Sequence, residues 1–172
     1  MVGWFIQLFS CNLLFDSEFF LRLSSVVSMT LNTYLIYLIG KQVKNEQTGF
    51  YAALLYTASV YAFVITGIFI LPDTPLTVFV LLAVLQLVKY FQNDKNKYLL
   101  LAGLFSGLAM LSKYSGVFIW LGVGLYIIFY SRKEFKNPFL YLSVFISAVC
   151  MIPVLMWNIN NEFISFTFHG NR

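Results

Sequence analysis

Residues 98–130 read YLLLAGLFSGLAMLSKYSGVFIWLGVGLYIIFY and contain a single charge, Lys113. A helix needs about 20 predominantly apolar residues to cross a bilayer. The stretch is too long for one span and just long enough for two short ones. The flanking charges decide between them. Lys89, Lys95 and Lys97 stand before it, and Arg132, Lys133 and Lys136 after it. Cytoplasmic loops collect Lys and Arg, so both flanks belong on one side of the membrane and the stretch must cross twice. The pattern predicts two short helices that turn at Ser112–Gly116, with Lys113 in the turn.

The same argument extends to the rest of the chain. Runs 19–39, 49–71, 75–91 and 139–156 are apolar, and Lys41 with Lys44 forms a third basic cluster between the first two. Together the three clusters hold Lys41, Lys44, Lys89, Lys95, Lys97, Arg132, Lys133 and Lys136, leaving only Arg22, Lys113 and Arg172 of the 11 basic residues elsewhere. With all three clusters inside, the Leu71–Pro75 turn, the Ser112–Gly116 turn and both chain ends lie outside. Backbone in lipid must bond to itself within one helix. The expected fold is therefore all-α, a polytopic transmembrane helix bundle of about six spans. Residues 1–18 form an outer-face amphipathic or re-entrant segment, 19–157 the bundle, and 158–172 the start of an outer-face segment. The opening Met1-Val2-Gly3-Trp4-Phe5-Ile6-Gln7 has no basic leader. An outer N-terminus without one implies an earlier span, so the expectation is a piece of a longer protein or a misassigned start.

Composition points the same way. The chain is 60% hydrophobic and 10% charged, with a mean hydropathy of +0.80; soluble domains average about 25% charged. The net charge of +4 is explained by orientation, so no nucleic-acid partner is expected. Cys11 and Cys150 sit alone in apolar context and build no disulfide framework. With one His and no acidic or thiol cluster there is no metal-ligand spacing, and no cofactor is evident.

A chain this poor in charge gives its few isolated charges weight, since a charge at the bilayer centre costs about 3 kcal/mol on insertion scales. Asp73 stands in Pro72-Asp73-Thr74-Pro75. It is either a helix cap, or a carboxylate facing a cavity at the outer surface, or both. Lys113 either snorkels to headgroups or binds a lipid phosphate as a point charge. Arg22 either pairs with Asp16 or Glu18, or acts as a second phosphate clamp with the bidentate geometry that lysine lacks. Trp157 fits an interfacial anchor. His169 and Arg172 are the only His, Lys or Arg after Lys136. Gly103 and Gly107, four apart on one helix face, form a small-xxx-small packing signal.

In order and spacing these segments resemble the membrane region of family 39 glycosyltransferases, the bacterial relatives of protein mannosyltransferases and of the aminoarabinose transferase that modifies lipid A. The residues that carry the resemblance are Met1-Val2-Gly3-Trp4, Arg22-Leu23, Pro72-Asp73-Thr74-Pro75-Leu76, Gly103 through Gly107 with Leu111-Ser112-Lys113-Tyr114, Pro153 with Trp157-Asn158, and Ser165-Phe166 with His169 and Arg172. The resemblance implies a GT-C-like bundle in the plasma membrane, multi-pass, in bacteria the inner membrane. It implies transfer of a sugar from a polyprenyl-phosphate donor to an acceptor lipid, glycan or protein on the outer face. On this reading Arg22, Lys113, His169 and Arg172 bind substrate and Asp73 is an accessory catalytic carboxylate. The family's acidic catalytic loop would lie before Met1, so residues 1–172 alone are expected to be inactive.

Two other classes compete. A small transporter would place polar groups near the midplane, where Asn32 and Gln86 are the strong polar intruders. A non-catalytic membrane remnant would need none of the isolated charges.

Overall fold

The computed structural model describes residues 18–59 and 73–160, which are helical apart from short links and contain no strand. Helix α1 covers Glu18–Val43 and α2 Glu46–Ala58. Helix α3 covers Asp73–Asn93, and α4 Asn96–Ser112. A 3₁₀ turn at Tyr114–Val117 leads into α5, Phe118–Tyr130. A second 3₁₀ turn at Arg132–Lys136 precedes α6, Pro138–Cys150, and α7, Ile152–Asn160. The predicted re-entrant segment and the second half of the 49–71 run lie outside the described residues.

The decisive stretch divides as its flanking charges require. Helix α4 ends at Ser112, Lys113 is extended at φ −157°, and the chain re-enters helix after the 3₁₀ turn. Gly116 makes this return possible: a Cβ there would lie 2.6 Å from the Met110 nitrogen. Asp73–Asn93 and Pro138–Ile159 are long and apolar enough to cross a membrane, and Tyr114–Tyr130 is a shorter apolar helix. The last span is interrupted at Met151, between α6 and α7. Pro153 accounts for the break, because proline lacks an N–H and its ring collides with the preceding turn of a continuing helix.

Close contacts set the packing. Asn45 caps α2 by accepting from the Thr48 amide at 2.8 Å. Gly40 and Gly49 let α1 and α2 cross, since a Cβ on Gly40 would lie 2.7 Å from the Gly49 Cα. Asp94 turns α3 into α4 at φ 51°, a left-handed conformation that Asp tolerates. Gly103 and Gly107 seat α4 against α6: added Cβ atoms would lie 2.5 Å from the Ser143 carbonyl oxygen and 2.8 Å from Cys150. Ser147 donates to the Gly103 carbonyl at 2.6 Å and accepts from Trp120 Nε1 at 3.1 Å, tying α4, α5 and α6 together. The outward faces stay apolar: Leu55, Phe129 and Tyr130 are 71%, 75% and 80% exposed. Surfaces of this kind are stable in lipid, whereas in water they would be aggregation sites. The molecule is an all-α membrane bundle.

One end of the bundle gathers the basic loops. Gln42 Nε2 donates to Gln92 Oε1 at 2.5 Å, and Gln92 Nε2 donates to the Gln42 carbonyl at 2.7 Å. The Tyr90 hydroxyl donates to the buried Glu134 carboxylate. Asn137 Nδ2 donates to the Tyr90 hydroxyl at 2.8 Å and reaches Asn96 Oδ1 at 3.4 Å. These bonds bring the α1–α2, α3–α4 and α5–α6 links to one end, as the charge pattern predicts.

Candidate functional site

The opposite end holds the candidate site. Helices α3 and α4 are consecutive and antiparallel, so the start of one meets the end of the other. Asp73 opens α3 and Lys113 closes α4, and Lys113 Nζ lies 2.6 Å from Asp73 Oδ1. The sequence reading places both residues on one face of the membrane but does not pair them. The pair assigns the Asp73 carboxylate a task besides starting a helix. Thr77 Oγ1 meanwhile donates to the Asp73 carbonyl at 2.6 Å.

Lys113 is held at its backbone. Its amide donates to the Ala109 carbonyl at 3.0 Å, and its carbonyl accepts from the Gly116 amide at 3.0 Å. Its side chain is 48% exposed, against 21% for Asp73. An ammonium carries three donors, and Asp73 takes one. Among the described residues the other two donors have no partner, so this half-exposed ammonium can accept an anion without releasing its carboxylate.

Polar groups surround this end. Thr74, beside Asp73, is 1% exposed, and its hydroxyl has no hydrogen-bond partner among the described residues. Ser25 on α1 is fully buried, and its hydroxyl has no partner among the described residues; Asn32, also fully buried and without a partner among them, lies about halfway along α1. Arg22 lies near the start of α1, the end of that helix away from the basic loops; its side chain, like His169 and Arg172, lies outside the described residues. Trp157 is on α7, 38% exposed. Among the described residues no cluster of His, Cys, Asp and Glu could hold a metal ion.

Between α3 and α5 runs an apolar groove of about 520 Å³. Ser115, two residues beyond Lys113, lines it, and Phe91 and Tyr126 line its other end with ring centroids 4.4 Å apart. Neither the groove nor the Tyr90–Glu134 bond is visible in the sequence. An apolar wall reads the same whether it packs on protein or borders a cleft, and Glu134 sits among Arg132, Lys133 and Lys136 like any solvated loop residue.

Residues 1–157 match the dolichyl-phosphate-mannose-protein mannosyltransferase family. The chain belongs to that family. It is thus a membrane glycosyltransferase of the GT-C type, and the resemblance carried by Pro72–Leu76 and Leu111–Tyr114 points to the right group. No curated protein and no solved structure matches the chain. Within the family match, Asp73 and Lys113 fall in two separate motifs that the fold brings into contact.

Proposed function

We propose that the Asp73–Lys113 end binds the phosphate of a polyprenyl-phosphate sugar and supports transfer of that sugar to an acceptor on the outer face of the membrane. The observation that carries this reading is a half-exposed lysine with two donors unpartnered among the described residues, anchored by a carboxylate at the end of the bundle opposite the basic loops. A polyprenyl phosphate departing from the sugar gains negative charge. Preorganised cations stabilise such charge in the transition state. Lys113 supplies one, and Arg22 on α1 is the second candidate. Asp73 fixes the Lys113 ammonium and borders the sugar, while the general base comes from another part of the protein. His169 and Arg172 remain candidates for the same substrate. The positive-inside rule supports an outer-face site, and the family resemblance supports a plasma-membrane location.

The test is sugar transfer by the intact protein in membranes. Lys113→Ala and Arg22→Ala are each expected to cut the rate on the order of 100-fold, the usual effect of removing one such donor. Parent-like turnover by both variants at normal membrane levels overturns the reading.

A further inference from the structure

We infer that the cleft between α1 and α2 binds a phospholipid with an ammonium headgroup, phosphatidylethanolamine, in the leaflet that meets the basic loops. The cleft lies at the opposite end of the bundle from Asp73 and Lys113, and the inference does not depend on the function proposed above.

Two hollows make the cleft. One, about 320 Å³, is bounded by Glu46 and Tyr51 at the start of α2 and by Tyr37 of α1. The other, about 460 Å³, starts at the same Tyr37 and runs to Met29 on α1 and Thr57 on α2. Sharing a wall, they form one channel from a charged mouth into the apolar layer. Its depth fits one leaflet. Thr57 lies about 16 Å from Glu46 along α2 at 1.5 Å per residue, and half of a hydrocarbon core about 30 Å thick is about 15 Å. The channel is also less polar than its residue types suggest. Thr30 and Thr33 donate to the Val26 and Met29 carbonyls at 2.9 and 3.0 Å, and Thr57 to the Leu54 carbonyl at 2.9 Å. With those hydroxyls spent on their own helices, hydrocarbon can lie against the threonines at no polar cost.

The mouth selects the headgroup. Lys41 Nζ lies 2.6 Å from Glu46 Oε1, and the two side chains are 46% and 72% exposed. An ammonium has three donors and a carboxylate two oxygens. Among the described residues two Lys41 donors and Glu46 Oε2 therefore have no partner. A cation and an anion side by side match a phosphate and an ammonium joined by a short linker. The Tyr37 and Tyr51 rings beside Glu46 add aromatic groups, which attract an ammonium. Lys41 and Lys44 alone would draw any anionic lipid. Glu46 repels a headgroup whose charge is only negative, so it turns a general attraction into a preference for the zwitterion.

The experiment measures binding of the first lipid to the intact protein by native mass spectrometry, with dioleoyl phosphatidylethanolamine and dioleoyl phosphatidylglycerol as probes. The ethanolamine lipid is expected to bind about five- to tenfold more tightly, the effect of one exposed ion pair and one cation–π contact. Glu46→Gln changes an exposed side chain and is expected to bring the two affinities within about twofold, by weakening the ethanolamine lipid and strengthening the glycerol lipid. Ala53→Phe puts a ring into the channel that Ala53 lines, and is expected to weaken both lipids on the order of tenfold. Should Ala53→Phe fail to fold, an ethanolamine lipid with a photoreactive group near its chain end reads the same question in the native chain, by labelling α1 near Met29 and α2 near Thr57. Equal binding of the two lipids by the native protein overturns the inference. So does a preference that Glu46→Gln leaves unchanged, full binding by a folded Ala53→Phe variant, or labelling confined to other helices.

Discussion

A half-exposed ion pair contributes about 0–1 kcal/mol to stability, so Asp73 and Lys113 are not explained by their mutual attraction. Asp73→Asn isolates the charge, because asparagine has nearly the same shape and keeps an acceptor oxygen for Lys113. We expect it to insert normally and lose about 1 kcal/mol or less of stability, while sugar transfer falls by an order of magnitude or more as Lys113 loses its anchor. Thermal unfolding in detergent beside a transfer assay checks both halves; unchanged transfer would reduce Asp73 to a helix start. Gly116 is a different kind of residue. Alanine there meets the backbone of Ala109 and Met110, and overpacking of this kind costs about 1–3 kcal/mol. Gly116→Ala should therefore lower the unfolding temperature and reduce transfer together. The isolated charges were legible as exceptions in a charge-poor chain. Their contact was not, because 40 residues separate them and only the antiparallel return of α4 along α3 brings them together.

At the scale of helices, small residues set the spacing. Gly103 meets backbone of Ser143, so Gly103→Val should separate α4 from α6 and abolish folding more severely than Ser147→Ala. The serine variant loses one bond to Gly103 and one to Trp120, and hydrogen bonds between membrane helices average about 0.6 kcal/mol. Retention of each variant after detergent extraction ranks them. The α1–α2 hairpin carries a pH signature. Lys41 holds the Glu46 carboxyl below its ordinary range through their 2.6 Å bond, and Glu46 in turn raises Lys41. The contribution of Glu46 is full above the ordinary carboxylate range and fades as pH falls through its lowered value. That of Lys41 fades as pH rises through its raised one. Both groups are exposed, so the effect is small, and Glu46→Gln should flatten the acid side of a stability–pH curve. The division of 98–130 into two helices was readable from flanking charge. The break at Met151 was not, since an apolar run of that composition reads as continuous until Pro153 is weighed against the turn before it.

For the whole molecule, charge asymmetry gives a labelling prediction. Single cysteines at positions 44, 95 and 133 should resist an impermeant reagent applied from outside, while positions 73 and 113 should react. Labelling of 95 and 113 from the same side would break the topology. The clustering of three basic loops at one end was legible because every loop carries the same sign. The bonds that hold them there were not, because Gln42, Gln92, Tyr90 and Asn137 have no pattern that sets them apart from ordinary loop-end residues.

The Tyr90–Glu134 bond also acts as a clock. Its partners are 44 residues apart, and a ribosome adding about 5–20 residues per second leaves Tyr90 waiting roughly two to nine seconds for Glu134 to be made. During that interval α4 and α5 are themselves being made, and the shared end of α3 and α4 stays unclasped. Order of synthesis is thus written into the bundle: the earlier helices can still adjust their register until the loop before α6 arrives and locks it.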